Sequence, residues 1–192
     1  MSAPTAALLE AVAVTAELCG RVLSPGAAAV FVADLGGYPE AQVLGALRRC
    51  RREVRGALTV QDVVSRLDDG RPGPDEAWAS LPRDEAQSTV WTDEIAQAFG
   101  VAAPLLCHRD TAGAQRAFRE TYTRLVNEAR EARRPVRWWA SLGHDPRGRE
   151  AALMLAVDQG RLSLDQVLGL LPPRPAGAPP QIAQPQPRGA LR

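Results

Sequence analysis

The segment YPEAQVLGALRRCRREVR, residues 38–55, combines an apolar stripe with a basic flank at helical spacing. Val43, Leu47, Cys50 and Val54 recur along one side, which predicts an amphipathic helix with one buried face. At about 100° per residue, four arginines fall together on a flank of that stripe. These residues, called the arginine face below, are Arg48, Arg51, Arg52 and Arg55. The segment therefore predicts both a core contact and an exposed basic surface.

Two interpretations of the arginine face are open at this point. Its charges suit the C-terminal end of a helix dipole, which is typical of a solvated surface without a partner. The same composition is typical of a docking surface for phosphates or for an acidic protein partner. Four guanidinium groups within about two turns of helix justify keeping the second interpretation.

Capping signals around this helix predict a small N-terminal four-helix domain in residues 1–70. Ser24 followed by Pro25 is an N-cap with proline at the first helical position. Thr59 and Asp62 have the spacing of a capping box for a short fourth helix. The connections between these helices are too short for a pair of strands.

The rest of the chain predicts a linker, a helical second part and a tail, so the fold class is all-α. Residues 71–76 are rich in proline and glycine and form the best internal boundary, a candidate hinge. Residues 77–171 continue with helical patterns, including a helix that we expect to stop at Gly100 and a strong apolar stripe over 111–131. In residues 172–192, seven of 21 residues are proline, which predicts a disordered Pro-rich tail.

Composition excludes several chemistries. The chain has 192 residues, 45% of them hydrophobic, which is enough for one ordinary domain or two small ones. Its net charge is +1, so any nucleic-acid binding must come from local patches. All 23 basic residues are arginine. Because lysine is absent, a Walker-type phosphate loop, a Schiff-base lysine and a pyridoxal-phosphate site are excluded.

The cysteines and histidines predict no metal site. Three cysteines and two histidines contain no C-x-x-C or H-x-x-x-H spacing. An odd number of widely spaced cysteines favours reduced thiols in a cytoplasmic protein. No run approaches the roughly 18 apolar residues of a membrane span, so we expect no membrane association of that kind.

No catalytic residue and no cofactor are predicted, so the chain is expected not to be an enzyme. A Gly-x-Ser-x-Gly elbow is absent, and residues 143–149 imitate the glycine spacing of a phosphate loop without its lysine and hydroxyl. Carboxylate pairs such as Asp93 with Glu94 have a simpler explanation as helix caps or surface charge.

A second basic segment interleaves arginine with tryptophan, as proteins that bind single-stranded nucleic acid do. Its candidate residues are Arg133, Arg134, Arg137, Trp138, Trp139, Arg147 and Arg149. The alternative is that the adjacent tryptophans pack a loop onto the core, one buried and one half covered.

Residues 30–47, VFVADLGGYPEAQVLGAL, and residues 58–63, LTVQDV, resemble the N-terminal helical domain of phage replicative-helicase loader and inhibitor proteins. The resemblance spans about residues 5–70. It implies an adaptor that does not hydrolyse ATP and that engages the replicative helicase. Residues 91–146 are similar to uncharacterised proteins of proteobacterial prophages, to which no activity is attached.

The leading hypothesis is a non-enzymatic phage or prophage DNA-replication accessory protein that contacts the replicative helicase through the arginine face. The alternative is a DNA-binding protein or transcriptional regulator whose arginine clusters contact single-stranded or duplex DNA directly. Their response to salt separates them, because phosphate contacts weaken steeply as ionic strength rises.

Overall fold

The computed structural model of the protein describes residues 5–171. The segment for which the sequence predicts disorder, 172–192, lies outside the described residues. The helices, in chain order, are α1 (Ala6–Leu18), α2 (Pro25–Asp34), α3 (Glu40–Glu53), α4 (Val60–Val64), α5 (Pro74–Ala79), α6 (Asp93–Cys107), α7 (Thr111–Glu131), α8 (Pro146–Asp158) and α9 (Leu164–Leu170). The strands are β1 (Thr89–Thr92) and β2 (Trp138–Ser141).

The fold is mainly helical, as predicted, but the prediction of an all-α fold misses a small sheet. Strands β1 and β2 pair antiparallel, with Trp91 opposite Trp139. Both contain the aromatic or β-branched side chains that fit a pleated surface. Four-residue strands are too short to show a clear alternation, and α6 and α7 lie between them, so no hairpin signal exists. A sheet this small depends on the helices packed against it.

The capping signals of the sequence are confirmed at the helix starts. Ser24 caps α2, and Thr59 with Asp62 forms a capping box at α4. Ser163 and Gln166 form a second capping box at α9. Each cap satisfies backbone amides that the first turn of a helix leaves unpaired.

Helices α1 to α4 pack around the apolar stripe of α3. Val43, Leu47 and Cys50 are 0% exposed, and α1 and α2 contribute Val12 and Phe31 to the same cluster. Burial raises the pKa of the Cys50 thiol to about 11, since the thiolate loses its hydration there. The stripe that the sequence predicts is therefore the centre of the N-terminal core.

A second core lies between α6 and α7. Phe118 and Tyr122 of α7 are buried and stack with ring centroids 5.7 Å apart. The prediction that the preceding helix stops at Gly100 is wrong, because α6 continues past it. Ala98 and Ala102, on either side of the glycine, are both 0% exposed in this core. Continuing the helix buries apolar surface, and the free energy gained by that burial exceeds the roughly 1 kcal/mol that an interior glycine costs.

A third apolar cluster lies on the other face of the sheet. Successive side chains of a strand point to opposite faces, so Trp91 joins the second core while Val90 joins the third cluster. Leu153 of α8 and Val167 of α9 pack there as well. Leu171, the last described residue, packs against this same cluster.

Four ionic side chains, called the junction below, connect the two halves: Asp69, Arg71, Glu94 and Arg130. The Arg71 side chain is 1% exposed and donates to Asp69 Oδ2 at 2.6 Å and to Glu94 Oε1 at 2.9 Å. Arg130 Nη2 lies 3.1 Å from Asp69 Oδ1. The junction is thus an alternating chain in which Asp69 contacts both guanidinium groups and Arg71 contacts both carboxylates.

Hydrogen bonds and charge–charge attraction together outweigh the effect of burial on the pKa values of Asp69 and Arg71. Burial opposes the ionisation of Asp69, but hydrogen bonds from Arg130 and Arg71 hold its pKa below the usual 3.8. Burial likewise opposes the charge of Arg71, and its bonds to Glu94 and Asp69 raise its pKa nonetheless. All of these contacts favour the ionised network.

The segment for which the sequence predicts a linker, 71–76, takes part in these contacts. It begins with Arg71, and its Pro72 carbonyl accepts a hydrogen bond from Tyr122 Oη at 2.8 Å. The last residues of the segment already belong to α5. Tyr38 Oη also donates across the halves, to the Arg130 carbonyl at 3.0 Å. The domain boundary stays a prediction.

Candidate functional site: the arginine face of helix α3

The arginine face lies on a helix whose opposite side belongs to the N-terminal core. Because Val43 and Leu47 are 0% exposed, core packing sets the position of the α3 backbone. Arg51 and Arg52 occupy the last turn, where positive charge interacts favourably with the helix dipole. The prediction that the helix itself carries all four arginines is wrong for Arg55, because α3 ends at Glu53 and the Val54 backbone is extended, so Arg55 lies past the helix end.

The four side chains of the face are exposed. Within residues 5–171, no carboxylate forms an ion pair of 4.0 Å or less with any of them. Arg51 Nη1 donates to Thr15 Oγ1 of α1 at 2.9 Å, and Arg48 Nε approaches the Leu44 carbonyl oxygen at 3.4 Å. The remaining guanidinium donors face solvent, so the face carries uncompensated positive charge.

The acids close to α3 pair with other arginines. Arg49, on a different side of the helix, lies 3.4 Å from Asp68. Glu53 accepts from Arg66 Nε at 2.9 Å. These pairs neutralise the neighbouring side of the helix, which leaves the arginine face as a locally basic surface suited to carboxylates or phosphates.

The structure does not assemble the second basic segment into one surface. Arg133 and Arg134 follow α7 beside the junction. The Arg133 guanidinium lies 5.4 Å from the centroid of the Tyr38 ring. The Arg134 carbonyl accepts from Arg71 Nη2 at 3.1 Å, while its own side chain is exposed.

Arg137 and Trp139 converge on Asp93 instead. Arg137 makes two bonds of 2.8 Å to the Asp93 carboxylate, and Trp139 Nε1 donates to the same carboxylate at 3.0 Å. The hydrogen bond from Arg137 lowers the pKa of Asp93 against the opposing effect of burial. Trp139 packs edge-on against Trp91, with centroids 5.6 Å apart, and keeps 36% of its surface exposed.

The other members of the segment face different directions. Trp138 packs against both the second core and the third cluster, and the Arg161 guanidinium lies 4.5 Å from its ring centroid. Arg149 Nη2 donates to the Gly143 carbonyl at 2.8 Å, whereas Arg147 is exposed at the start of α8. Trp138 contacts two apolar clusters and a guanidinium group. Trp139 is the more exposed of the two tryptophans and therefore has more surface on which a base could stack.

Sequence reasoning missed a groove of about 650 Å³ between α6 and the end of the sheet. Its apolar lining comprises Trp91, Phe99, Ala103, Leu106 and Leu142. Polar side chains at its edge are Arg83, Asp84, Glu85, Cys107 and His144. The signal for it was weak, because its residues come from four separate stretches of the chain.

Hydrogen bonds from backbone amides connect the two loops that border the groove. The His144 amide donates to the Glu85 carbonyl at 3.3 Å, and the Gly143 amide donates to Ser88 Oγ at 3.0 Å. Gly143 lies so close to the neighbouring loop that a Cβ there would overlap the Ala86 carbonyl. The groove is therefore formed in the free chain.

Cysteine, histidine and carboxylate side chains do not cluster in the described part of the chain. Residues 5–171 contain no group of three or more such residues able to hold a metal ion. Cys107 and His144 border the same groove, but no hydrogen bond joins them among the described contacts. None of the helices within 5–171 combines the length and apolar composition that a membrane span requires.

Comparison with protein-family models, with curated proteins and with solved structures finds no match for the chain.

Proposed function

We propose that this chain is a non-enzymatic adaptor that binds an acidic surface of a protein partner through the arginine face. The observation that carries the proposal is a set of four exposed guanidinium groups without ion pairs to the described residues, three on a helix anchored in the core and the fourth, Arg55, just past its end. Arginine presents its donors in a planar fork that matches carboxylates, so such a face recognises clustered Asp and Glu side chains.

The partner in this proposal is the replicative helicase. That identification rests on the resemblance of residues 5–70 to phage helicase loaders and inhibitors, and it makes the chain a cytoplasmic phage or prophage replication accessory protein. Residues 5–70 act in this role as a four-helix domain, supported by the apolar cluster that α1 to α4 share. A rigid basic face adds to association rate and orientation more than to affinity.

Size-exclusion chromatography with light scattering tests the proposal. The full chain is run alone and with the replicative helicase of its host, and we expect a stable complex at micromolar concentration. Replacing all four residues of the arginine face by Gln is expected to abolish co-elution, because the four positive charges that pair with carboxylates of the partner are then removed. No complex with the parent chain would overturn the helicase role.

A matched control removes the same charge from another exposed surface. Four arginines at or before α7 are replaced by Gln: Arg109, Arg116, Arg119 and Arg124. This variant loses two exposed ion pairs, to Asp75 and Glu128, which contribute little to stability. It is expected to bind the helicase as the parent does. Equal loss of binding in both variants would show that net charge, and not the arginine face, drives association.

Direct nucleic-acid binding through the same exposed arginines is the alternative. Phosphate contacts predict that log affinity falls by roughly 0.7 to 0.9 per contact for each tenfold rise in salt. Fluorescence anisotropy with single-stranded and duplex DNA oligonucleotides at several salt concentrations measures this slope. A steep slope that the arginine-face variant removes would replace the adaptor proposal with the nucleic-acid one.

A further inference from the structure

We propose that the Pro-rich C-terminal segment, residues 172–192, docks in cis into the groove between α6 and the end of the sheet. The groove and this segment play no part in the function proposed above. Proline-rich peptides bind grooves lined by aromatic side chains, and here Trp91 and Phe99 supply two rings, 5.8 Å apart.

An unsatisfied donor beside the groove supports a peptide occupant. Trp91 is 8% exposed, and its Nε1–H has no hydrogen-bond acceptor among the described residues. A buried donor without an acceptor is destabilising, because the folded chain does not replace the hydrogen bond that water supplied. Extended proline-rich chains carry backbone carbonyls that are free of internal hydrogen bonds.

Charge at the edge of the groove favours this segment as the occupant. Asp84 and Glu85 lie at the edge beside Arg83, and neither acid forms an ion pair with the described residues. The segment contains arginines but no acidic residue: Arg174, Arg188 and Arg192. Its prolines match the apolar lining, while its arginines match the carboxylates.

The chain is long enough to reach the groove. Leu171 packs against the third cluster together with Val90, which is adjacent to Trp91 on β1 and points to the opposite face of the sheet. The segment must therefore pass around one edge of a two-stranded sheet, a path on the order of 10–20 Å. Twenty-one residues at about 3.1 Å each extend to roughly 65 Å.

The reactivity of Cys107 reports on docking, because this exposed thiol borders the groove. The full chain is labelled with a maleimide, and labelling at each cysteine is followed by peptide mass spectrometry. In the test variant, Pro173, Pro175, Pro179 and Pro180 are replaced by Gly. With effective concentrations near millimolar, we expect Cys107 to label about two- to tenfold faster in this variant. Cys19, outside the groove, should label at an unchanged rate.

Two further variants test whether the change in Cys107 labelling depends on the groove and on the prolines of the segment. Glu85→Arg reverses an exposed charge at the edge and is expected to accelerate Cys107 labelling in the same direction. Replacement of Gln181, Gln184 and Gln186 by Ala keeps all prolines and arginines, and should leave the labelling rate as in the parent. Equal Cys107 rates in the parent and the proline variant would overturn the proposal. Protection that increases with protein concentration would also overturn it, since the segment of a second copy would then occupy the groove.

Discussion

Arginine has opposite roles at the junction and on the arginine face. At the junction, the Arg71 side chain is 1% exposed and contacts two carboxylates, so its charge is neutralised by ion pairs within the fold. The four arginines of the arginine face are exposed, and none of them forms an ion pair within the described chain. The two regions lie in the same small protein and use the same side chain.

This difference shows that the presence of an ion pair, and not the local number of charges, distinguishes arginines that stabilise the fold from arginines that are free to bind a partner. Removing one member of the junction leaves a buried charge without its partner, which is costly. Removing an exposed arginine returns its site to water, which costs little. The second basic segment lies between these extremes, because Arg137 is exposed yet bound to Asp93. Four predictions test this comparison.

The largest effect is expected for Arg71→Met at the junction. This change keeps most of the side-chain volume but leaves Asp69 and Glu94 without a shared cation. Breaking a buried pair of this kind costs about 3–5 kcal/mol of unfolding free energy. Urea denaturation followed by circular dichroism measures it. Arg52→Met, on the arginine face, is the control and should change stability by less than about 0.5 kcal/mol. Similar losses in both variants would contradict the comparison.

The junction should also make stability sensitive to acid. Because the folded pKa of Asp69 is below its usual 3.8, Asp69 contributes stability that is fully present above that value and is lost as pH falls through the folded pKa. The urea midpoint should therefore fall between about pH 5 and pH 2 in the parent. The fall should be shallower in Asp69→Asn, which starts from a lower stability at neutral pH. Parallel curves for the two proteins would exclude Asp69 as the titrating group.

A smaller effect is expected at the exposed pair of the second basic segment. Arg137→Gln removes both bonds to Asp93, but the Arg137 side chain is 75% exposed, so solvent screens the interaction. We expect only a small loss of unfolding free energy, measured by urea denaturation, and a smaller one at high salt. A loss as large as that of Arg71→Met would mean that this pair is structural.

The smallest effect on stability is expected for the arginine face itself. Changing its residues to Gln one at a time should alter the unfolding free energy by no more than about 0.5 kcal/mol each. Arg51→Gln is the most sensitive of them, because Arg51 also bonds Thr15. Thermal melts and urea denaturation of the four variants test this. A loss above about 2 kcal/mol in any of them would assign that arginine to the fold rather than to a binding surface.

Local patterns account for what could be predicted. The stripe of α3, the caps at Ser24 and Thr59, and the long helix α7 all depend on residues a few positions apart. Such signals are visible in a sequence because helix geometry repeats every 3.6 residues or so. They predicted the mainly helical fold and placed Arg48, Arg51 and Arg52 on one flank of α3, whereas Arg55 lies past the helix end.

Non-local contacts account for what was missed. Strand β1 lies far from β2 in the chain, so neither a turn signal nor a four-residue pattern revealed the sheet. The end predicted at Gly100 depended on local propensity, which packing of α6 against α7 overrides. The junction joins Arg71 to Glu94 and to the Arg134 carbonyl, and no local pattern marks such partners.

The sequence by itself determined that α3 is amphipathic, that Arg48, Arg51 and Arg52 share a flank, and that lysine-dependent chemistry is absent. Those properties follow from helical periodicity and from residue inventory, which need no knowledge of the fold. Only the tertiary structure decided which arginines are paired, where Trp138 and Trp139 lie, and that a groove opens beside Trp91. Pairing and burial depend on which distant elements come into contact, and the energy of a charge depends on that environment.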